Sequence, residues 1–312
     1  MVTDDGPRMP HDRGHLLWTS SGGPERPLLA SFDRWTTAIL GDDDISEFIM
    51  AEGPVMEGSI ISKENGIVAG CSAVDYMLQI WCPDIQITWK ANEGKSIQTG
   101  DIIAFVKGSS NSLLRMERSI LNILGQLSGI ATETNRWATI APKQIACTRK
   151  TVWGLLDKWA VHLGGGLTHR LSKNDAMMIK ENDLASHDDK DSTNSQRITS
   201  VLTNIQKEEY GAFLEIEVRT AKEAMLAAGV WKSLGHEEKL VIMLDNLSPA
   251  DCKNIAEEME QYELREFVIL EASGGITFDT LPNWKECKMD VLSTSALNRG
   301  TAPLDMSMML EE

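Results

Sequence analysis

The stretch LVIMLDNLSPADCKNIAEEMEQYELREFVILEASGG, residues 240–275, decides the architecture. It opens on an apolar run, 240–244, that is the length of a buried strand and is closed by Asp245. A helical pattern follows over 249–262, and a second apolar run, 268–271, leads into Ser273-Gly274-Gly275. Strand, helix and strand in this order imply parallel pairing. The same rhythm extends outward in both directions. Short apolar runs lie at 145–148, 177–180, 213–218 and 291–294, with helical patterns at 155–163, 196–209 and 221–228. The segment holds about 160 residues, below the ~200–250 of a complete eight-stranded barrel. The pattern alone allows either a reduced barrel or an open sheet.

Upstream the organisation changes. Residues up to 26 are rich in Gly, Pro, Ser and charge without periodicity, and are expected to form a flexible extension. Ser31 is expected to cap a helix that carries Phe32, Trp35 and Ile39 and ends before Gly41. Strand-like runs follow at 58–62, 67–70, 85–89 and 102–106, with Asn65-Gly66 expected to turn a hairpin between the first two. A helical pattern returns over 112–124. This part reads as an α+β domain.

Composition excludes several function classes. A net charge of −16 argues against nonspecific nucleic-acid binding, which needs a basic surface. No apolar run approaches the ~20 residues of a membrane helix. The N-terminus is polar and charged, against a secretory signal. Five scattered cysteines without a C-x-x-C pair argue against a disulfide framework or a structural zinc site, and fit a reducing cytoplasm.

Each apolar run ends in a residue able to do chemistry, and ligands of parallel α/β folds bind at the carboxyl ends of the strands. Arg149 and Lys150 follow the first run, Lys180 ends the second and Glu217 lies in the third. Asp245, Ser273-Gly274-Gly275 and the stretch from Ser293 to Arg299 follow the others. With His169 and Arg170, the basic residues cluster in an acidic chain, as an anionic ligand would require. Lys158 and Lys173, nearby, are expected on solvated faces. Carboxylates such as Glu217 and Asp245 belong beside a polyanion only if they meet hydroxyls or a divalent cation such as Mg²⁺. Backbone N–H groups of Ser273-Gly274-Gly275 suit a phosphate. The set points to a ligand with a sugar, a phosphate and several negative groups.

These residues, in this order, resemble the quinolinate phosphoribosyltransferases. The resemblance is carried by Thr148-Arg149-Lys150-Thr151, Gly164-Gly165-Gly166, His169-Arg170, Ile179-Lys180, Glu215-Ile216-Glu217-Val218, Met243-Leu244-Asp245-Asn246 and Leu270-Glu271-Ala272-Ser273-Gly274-Gly275. Glu117-Arg118 and Leu127-Ser128-Gly129-Ile130 agree upstream. The resemblance implies an incomplete, TIM-like α/β barrel over 136–299 and an N-terminal α+β sandwich domain over 27–135, joined by a C-terminal tail over 300–312. It implies quinolinate and phosphoribosyl pyrophosphate as substrates, Mg²⁺ as cofactor, and a homodimer or an assembly of dimers with shared active sites. By position, Arg149, His169, Arg170, Lys180 and a neighbouring subunit's copy of Arg118 would hold the quinolinate carboxylates. Lys150, Lys180, Glu217 and Asp245 would act in catalysis, the two carboxylates also at ribose and Mg²⁺. Ser273, Gly274, Gly275, Ser293, Ser295 and Ala296 would hold the 5′-phosphate.

The sequence departs from the family pattern at several points. Thr168 stands for Asn, Val152-Trp153 for Thr-Pro, Glu181 for Asp and Asp183 for His. The phosphate loop, usually Ser-Val-Gly-Ala-Leu-Thr-His, reads Ser293-Thr294-Ser295-Ala296-Leu297-Asn298-Arg299. Two alternatives therefore stand beside the quinolinate enzyme. One is a transferase for another pyridine or azole carboxylate, and the other is a silent paralogue that binds phosphorylated ligands.

Overall fold

The computed structural model describes residues 8–43, 53–186 and 192–311. In chain order, α1 (Arg26–Asp43) precedes β1 (Val55–Ser62), β2 (Gly66–Ile67), α2 (Cys71–Trp81), β3 (Gln86–Trp89), β4 (Ser96–Ile97), β5 (Ile102–Ser109) and the long α3 (Ser110–Ile140). Next come β6 (Ile145–Cys147), α4 (Leu155–Leu163), β7 (Met177–Ile179), α5 (Glu181–Ser186), α6 (Asn194–Asn204), α7 (Lys207–Tyr210) and β8 (Leu214–Val218). The chain ends with α8 (Ala221–Leu234), β9 (Leu240–Asp245), α9 (Pro249–Gln261), β10 (Val268–Ser273), β11 (Val291–Thr294) and β12 (Met306–Leu310). Two compact units result. One contains 14–139, 150–166 and the chain from 297 on; the other contains the chain up to 13, 140–149 and 167–296.

The first unit is built on an antiparallel sheet in the order β12-β1-β5-β3. Both edges of β1 are occupied, since Ser59 lies opposite Met309 on one side and Phe105 on the other. The hairpin expected at Asn65-Gly66 therefore cannot form. β2 pairs instead with β4, and the Asn65 side chain accepts a hydrogen bond from the Thr99 N–H at 2.9 Å. The helix expected to begin at Ser31 starts five residues earlier, with Pro27 in its first turn where no N–H is needed, and runs through Gly41. Helix α2 carried no expectation. Gly70, at φ 103°, turns the chain into it. Helix α3 lies against the segment before β12, and a Cβ at Gly129 would fall 2.2 Å from the Ala302 carbonyl oxygen.

The second unit is a six-stranded parallel sheet in the order β6-β11-β10-β9-β8-β7. An open doubly wound sheet reverses direction at an inner strand. Here the first strand pairs with the last, as in a barrel, and no described strand lies between β6 and β7. The fold is thus an incomplete α/β barrel. Leu167 bridges toward the gap, pairing with Ala146 of β6. The helix expected over 196–209 is broken by extended backbone at Ile205 into α6 and α7.

Residues 8–26 depart from the flexible extension expected of them, because buried aromatic and charged side chains anchor them. His11 is fully buried against Phe213 in the barrel unit, and Trp18 stacks on Trp159 of α4 at 4.8 Å in the other. Residues 1–7 of that expected extension lie outside the described residues. Lys158, expected on a solvated face, is 2% exposed, because α4 packs against both α1 and the turn at Gly14–Leu17. No described helix is long and apolar enough to cross a membrane.

Two helical glycines should respond oppositely to alanine. Gly229 in α8 has open space where a Cβ would stand, with nothing within 4 Å, so Gly229→Ala should stabilise by about 0.5–1 kcal/mol. Gly129→Ala should gain the same propensity but lose about 1–3 kcal/mol to the Ala302 carbonyl, a net destabilisation. Urea unfolding of the two variants gives both signs.

Candidate active site

Strand register assembles the site. Across the barrel unit, Glu215 pairs with Val241 and Val241 with Ile269. Glu217 pairs with Met243, which pairs with Glu271, which pairs with Val291. Asp245 pairs with Ser273, Ser273 with Ser293 and Ser293 with Ala146. Side chains alternate faces along a strand, so all of these share one face. Toward the strand starts that face is apolar, a cluster of Ala146, Leu167, Ala176, Phe213, Val241, Ile269 and Val291. Charge appears one layer up, and the carboxyl ends carry Lys180, Glu217, Asp245, Ser273 and Ser293.

At that edge Lys180 Nζ is ion-paired with Glu217, and the Lys180 N–H donates to Asp183 at 2.9 Å. Arg219 reaches Asp245 at 3.5 Å and also pairs with Glu181, so Glu181 keeps a carboxylate function in place of the usual Asp. Asn246, at φ 57°, turns the chain after β9, and its side chain donates to Asp245 at 3.0 Å. Gly274, at φ 102°, lies so close to Asn246 that a Cβ would be 2.3 Å from its side-chain oxygen. Gly275 is also left-handed, at φ 66°. Ser295, in place of a glycine, is not among the residues with positive φ, so the substitution brings no backbone strain. The Ala296 N–H donates to Thr294 Oγ1 at 3.1 Å and the Ser293 hydroxyl is buried without a hydrogen-bond partner.

His169 and Arg170 lie on the segment between Leu167 and β7. His169, expected to meet a ligand directly, turns inward instead. It is 3% exposed and its backbone is left-handed, at φ 53°. Its Nε2 lies 3.3 Å from Glu271 and 3.4 Å from Glu215, while His11 Nε2 lies 2.9 Å from Glu271. Burial disfavours charge on His169, but Glu271 and Glu215 outweigh it and push its pKa up to about 10. Burial and the neighbouring Glu271 raise Glu215. Against burial, His169 and His11 hold Glu271 below the usual carboxylate range.

His11, His169 and Glu271 bring one donor atom each within 4.8 Å, as a metal site would. The tautomer is wrong for one. The Arg170 N–H donates to His169 Nδ1 at 2.8 Å, which leaves the proton of a neutral ring on Nε2. An imidazolium also carries a proton there. In both states Nε2 is a donor facing carboxylates, with no lone pair for a metal. Glu217 and Asp245 differ: their oxygens, at a solvent-accessible edge, are hard donors that fit Mg²⁺.

Arg170 is buried, donating to the Ala176 carbonyl at 3.0 Å. Burial, then the Arg149 charge, lowers its pKa, with Glu215 and Asp183 opposing. Arg149 itself is exposed.

The other unit carries Arg118 and Lys150. Arg118 is exposed on α3, one turn after the exposed Leu114. The Lys150 carbonyl accepts from the Asn298 side chain at 3.1 Å. Buried Asp157 accepts from the N–H groups of Val152 and Trp153, at 2.7 and 3.2 Å, and from Asn298 at 3.3 Å. Asp157 and Asn298 thereby hold the loop after Lys150, a role without an advance signal. Glu215 and Glu271 could have been singled out, being charges inside the otherwise apolar strands LEIEV and VILEAS. His11 could not, because its partner lies 260 positions away.

A parallel half-barrel with cations and carboxylates gathered at its carboxyl edge defines an α/β-barrel enzyme for an anionic ligand. Residues 130–309 match the quinolinate phosphoribosyl transferase C-terminal domain and residues 43–128 the N-terminal domain. The chain belongs to the quinolinate phosphoribosyltransferase family, enzymes of NAD biosynthesis. It is 32% identical over 279 residues to a probable carboxylating nicotinate-nucleotide pyrophosphorylase of Methanothermobacter thermautotrophicus, covering 87% of this chain and 94% of that one. A protein of the same description from Archaeoglobus fulgidus is 33% identical, covering 81% and 93%. The structure of the nicotinate-nucleotide pyrophosphorylase from Francisella tularensis superposes with a TM-score of 0.77 at 26% identity, covering 91% and 97%.

The buried cluster fixes a pH dependence. His169 titrates higher in the folded chain than its ordinary 6.5, so its contribution to stability is complete below about pH 6.5 and is lost as pH rises through about 10. The stability difference between the wild type and His169→Gln should accordingly shrink across that window. Urea unfolding at a series of pH values measures it. A constant difference would mean that His169 carries no charge in the fold.

Proposed function

We propose that the chain transfers the phosphoribosyl group of phosphoribosyl pyrophosphate to quinolinate, releasing pyrophosphate and CO₂ and forming nicotinate mononucleotide. The reading is carried by the match of residues 43–128 and 130–309 to both family domains, with Glu217, Asp245, Ser273 and Ser293 brought by strand register to one carboxyl edge. The guanidinium groups of Arg149 and Arg170 suit a ligand with two carboxylates. Arg149 and Arg170 bind those carboxylates, with Arg118 from a neighbouring copy. His169 supports this subsite from beneath, its Nε2 set toward Glu215 and Glu271. Ser273, Gly274, Gly275, Ser293, Ser295 and Ala296 take the 5′-phosphate. The Ala296 N–H must first exchange its Thr294 partner.

The pyridine nitrogen lone pair forms the bond to the anomeric carbon while the carbon–oxygen bond to pyrophosphate breaks. The sugar passes through a cation-like state, which Glu217 and Asp245 stabilise. Lys150 and Lys180 stabilise the departing pyrophosphate, Lys180 sharing Glu217 as its resting partner. Glu217 and Asp245 would hold Mg²⁺, which when bound would supply further neutralisation of the pyrophosphate. The 2-carboxylate then leaves as CO₂. Its bonding electrons remain on the ring carbon beside the cationic nitrogen until a proton arrives. All reactants are phosphorylated or carboxylated metabolites, and we place the reaction in the cytoplasm, where five cysteines in the thiol form fit.

The departures from the family pattern have explanations inside each unit, which favours quinolinate over another pyridine or azole acid. Trp153 stacks near Trp35, Thr168 is fully buried and accepts the Arg13 N–H, and Ser295 is unstrained. Incubation with quinolinate, phosphoribosyl pyrophosphate and Mg²⁺ should yield nicotinate mononucleotide and CO₂, and none with nicotinate as acceptor. Product from nicotinate alone would select a different acceptor, and binding without turnover a silent paralogue. Lys150→Ala and Lys180→Ala should each lower turnover at least ~10²-fold with the fold intact.

Shared sites in a homodimer have a separate signature. Arg118→Ala and Lys180→Ala should each be nearly inactive. In a mixed dimer one site keeps both residues and its twin loses both. Random exchange makes about half the dimers mixed, so about a quarter of all sites should recover activity. No recovery, with exchange verified by tagged subunits, would confine Arg118 to its own domain.

A further inference from the structure

We propose that residues 8–13 form a brace for the open seam of the barrel, with Arg13 and His11 as positioning residues for the pyridine-acid subsite. The seam is the gap between β6 and β7, where a complete barrel would have strands. The chain crosses it on residues 168–175, which belong to no strand yet carry His169 and Arg170. Backbone pairing fixes only the two ends, through Leu167 to Ala146 and Ala176 to Gly211. Between those ends, side chains must do what a ladder does elsewhere.

The N-terminal segment supplies them. The Arg13 guanidinium donates to Asp175 through Nη2 at 2.8 Å and Nε at 3.2 Å, a two-pronged contact with a planar fork. Asp175 in turn accepts the Leu171 N–H at 2.8 Å, which closes the segment into a loop. The Arg13 N–H donates to Thr168 Oγ1 at 3.1 Å, immediately before His169. His11 lies tilted against Phe213 and edge-on to His169, with Nε2 at Glu271. Met9 packs on the apolar layer below. Thus Thr168, His169, Leu171 and Asp175 are all held, directly or at one remove, by a stretch of six residues. His169 needs such holding, because a left-handed backbone at a non-glycine residue is strained and persists only where its surroundings fix it.

The inference rests on the assignment of Arg170 to quinolinate, and the test separates the two. Hydrogen exchange on the substrate-free protein carrying Arg13→Gln should show residues 168–175 exchanging about tenfold faster or more, with β8–β10 unchanged. The KM for quinolinate should rise about tenfold while that for phosphoribosyl pyrophosphate stays within about twofold, because misplacement of a binding group is felt by its own ligand. Asp175→Asn should match it, and the double variant should be no worse than either single one. Arg13→Lys, a charge without a fork, should restore part of both effects. His11→Phe, which keeps the ring packing, should raise the quinolinate KM without lowering the melting temperature to the level of His11→Ala. Unchanged exchange in Arg13→Gln would overturn the brace. Faster exchange with an unchanged quinolinate KM would overturn the positioning role. Arg170→Lys with normal quinolinate affinity would sink the subsite assignment alone, leaving the exchange result standing.

Discussion

Burying two carboxylates side by side is among the most costly arrangements a protein interior can hold, since each loses its water and repels the other. Glu215 and Glu271 are both fully buried on the concave face of the parallel sheet. They are tolerable only because His169 and His11 face them across 2.9–3.4 Å. Much else follows from that one constraint. It turns His169 inward, beside Arg170, with Nε2 set toward both carboxylates. It also holds the N-terminal segment through His11. The apolar layer below and the ligand-facing edge above are separated by this charged tier, so the edge stands on a fixed electrostatic floor.

The proposed site would let an acidic chain serve anionic ligands. The formal charge of −16 is spread over the whole sequence, whereas Arg149, Arg170 and Lys180 are gathered at the carboxyl edge or seam of one sheet. Local concentration counts for more than the total, because exposed charges more than about 10 Å apart are screened at ordinary ionic strength. The carboxylates Glu217 and Asp245 are neighbours to this set and carry their own cations, Lys180 and Arg219. Binding would exchange these partners for ligand groups, so the edge can rearrange charge without exposing any of it uncompensated.

Much of this was legible in the sequence, for physical reasons. Continuous apolar runs such as 240–245 signal strands buried on both faces, and each of the six parallel strands was marked that way. The residue closing each run marked the carboxyl edge of the sheet. Barrel and open sheet were not separable by pattern, because periodicity is blind to which strands become neighbours; the pairing of β6 with β11 decided it. The hairpin at Asn65-Gly66 failed for a related reason, since turn chemistry cannot report that both edges of β1 are already taken. Polar composition misled at residues 8–26, where a single buried histidine and one tryptophan outweigh the surrounding Gly, Pro and Ser. The inward turn of His169 was hidden as well, because its partners come from two other strands and from the start of the chain.

The antiparallel sheet has an unusual history written into its register. Ser59 of β1 lies opposite Phe105 on one side and Met309 on the other. During synthesis the first partner arrives within seconds, at roughly 5–20 residues per second, while the second must wait for the whole half-barrel to be made. Through that interval one edge of β1 presents unpaired N–H and C=O groups, the feature that recruits strands from other chains. The loop closed by that pairing is long, so its late formation is also slow on topological grounds. Gly58 opposes Leu310 at a position where a Cβ would fall 2.6 Å from the Met309 carbonyl, so the waiting edge admits its own last strand closely and bulkier substitutes poorly. The chain thus carries a temporal vulnerability that its finished architecture conceals.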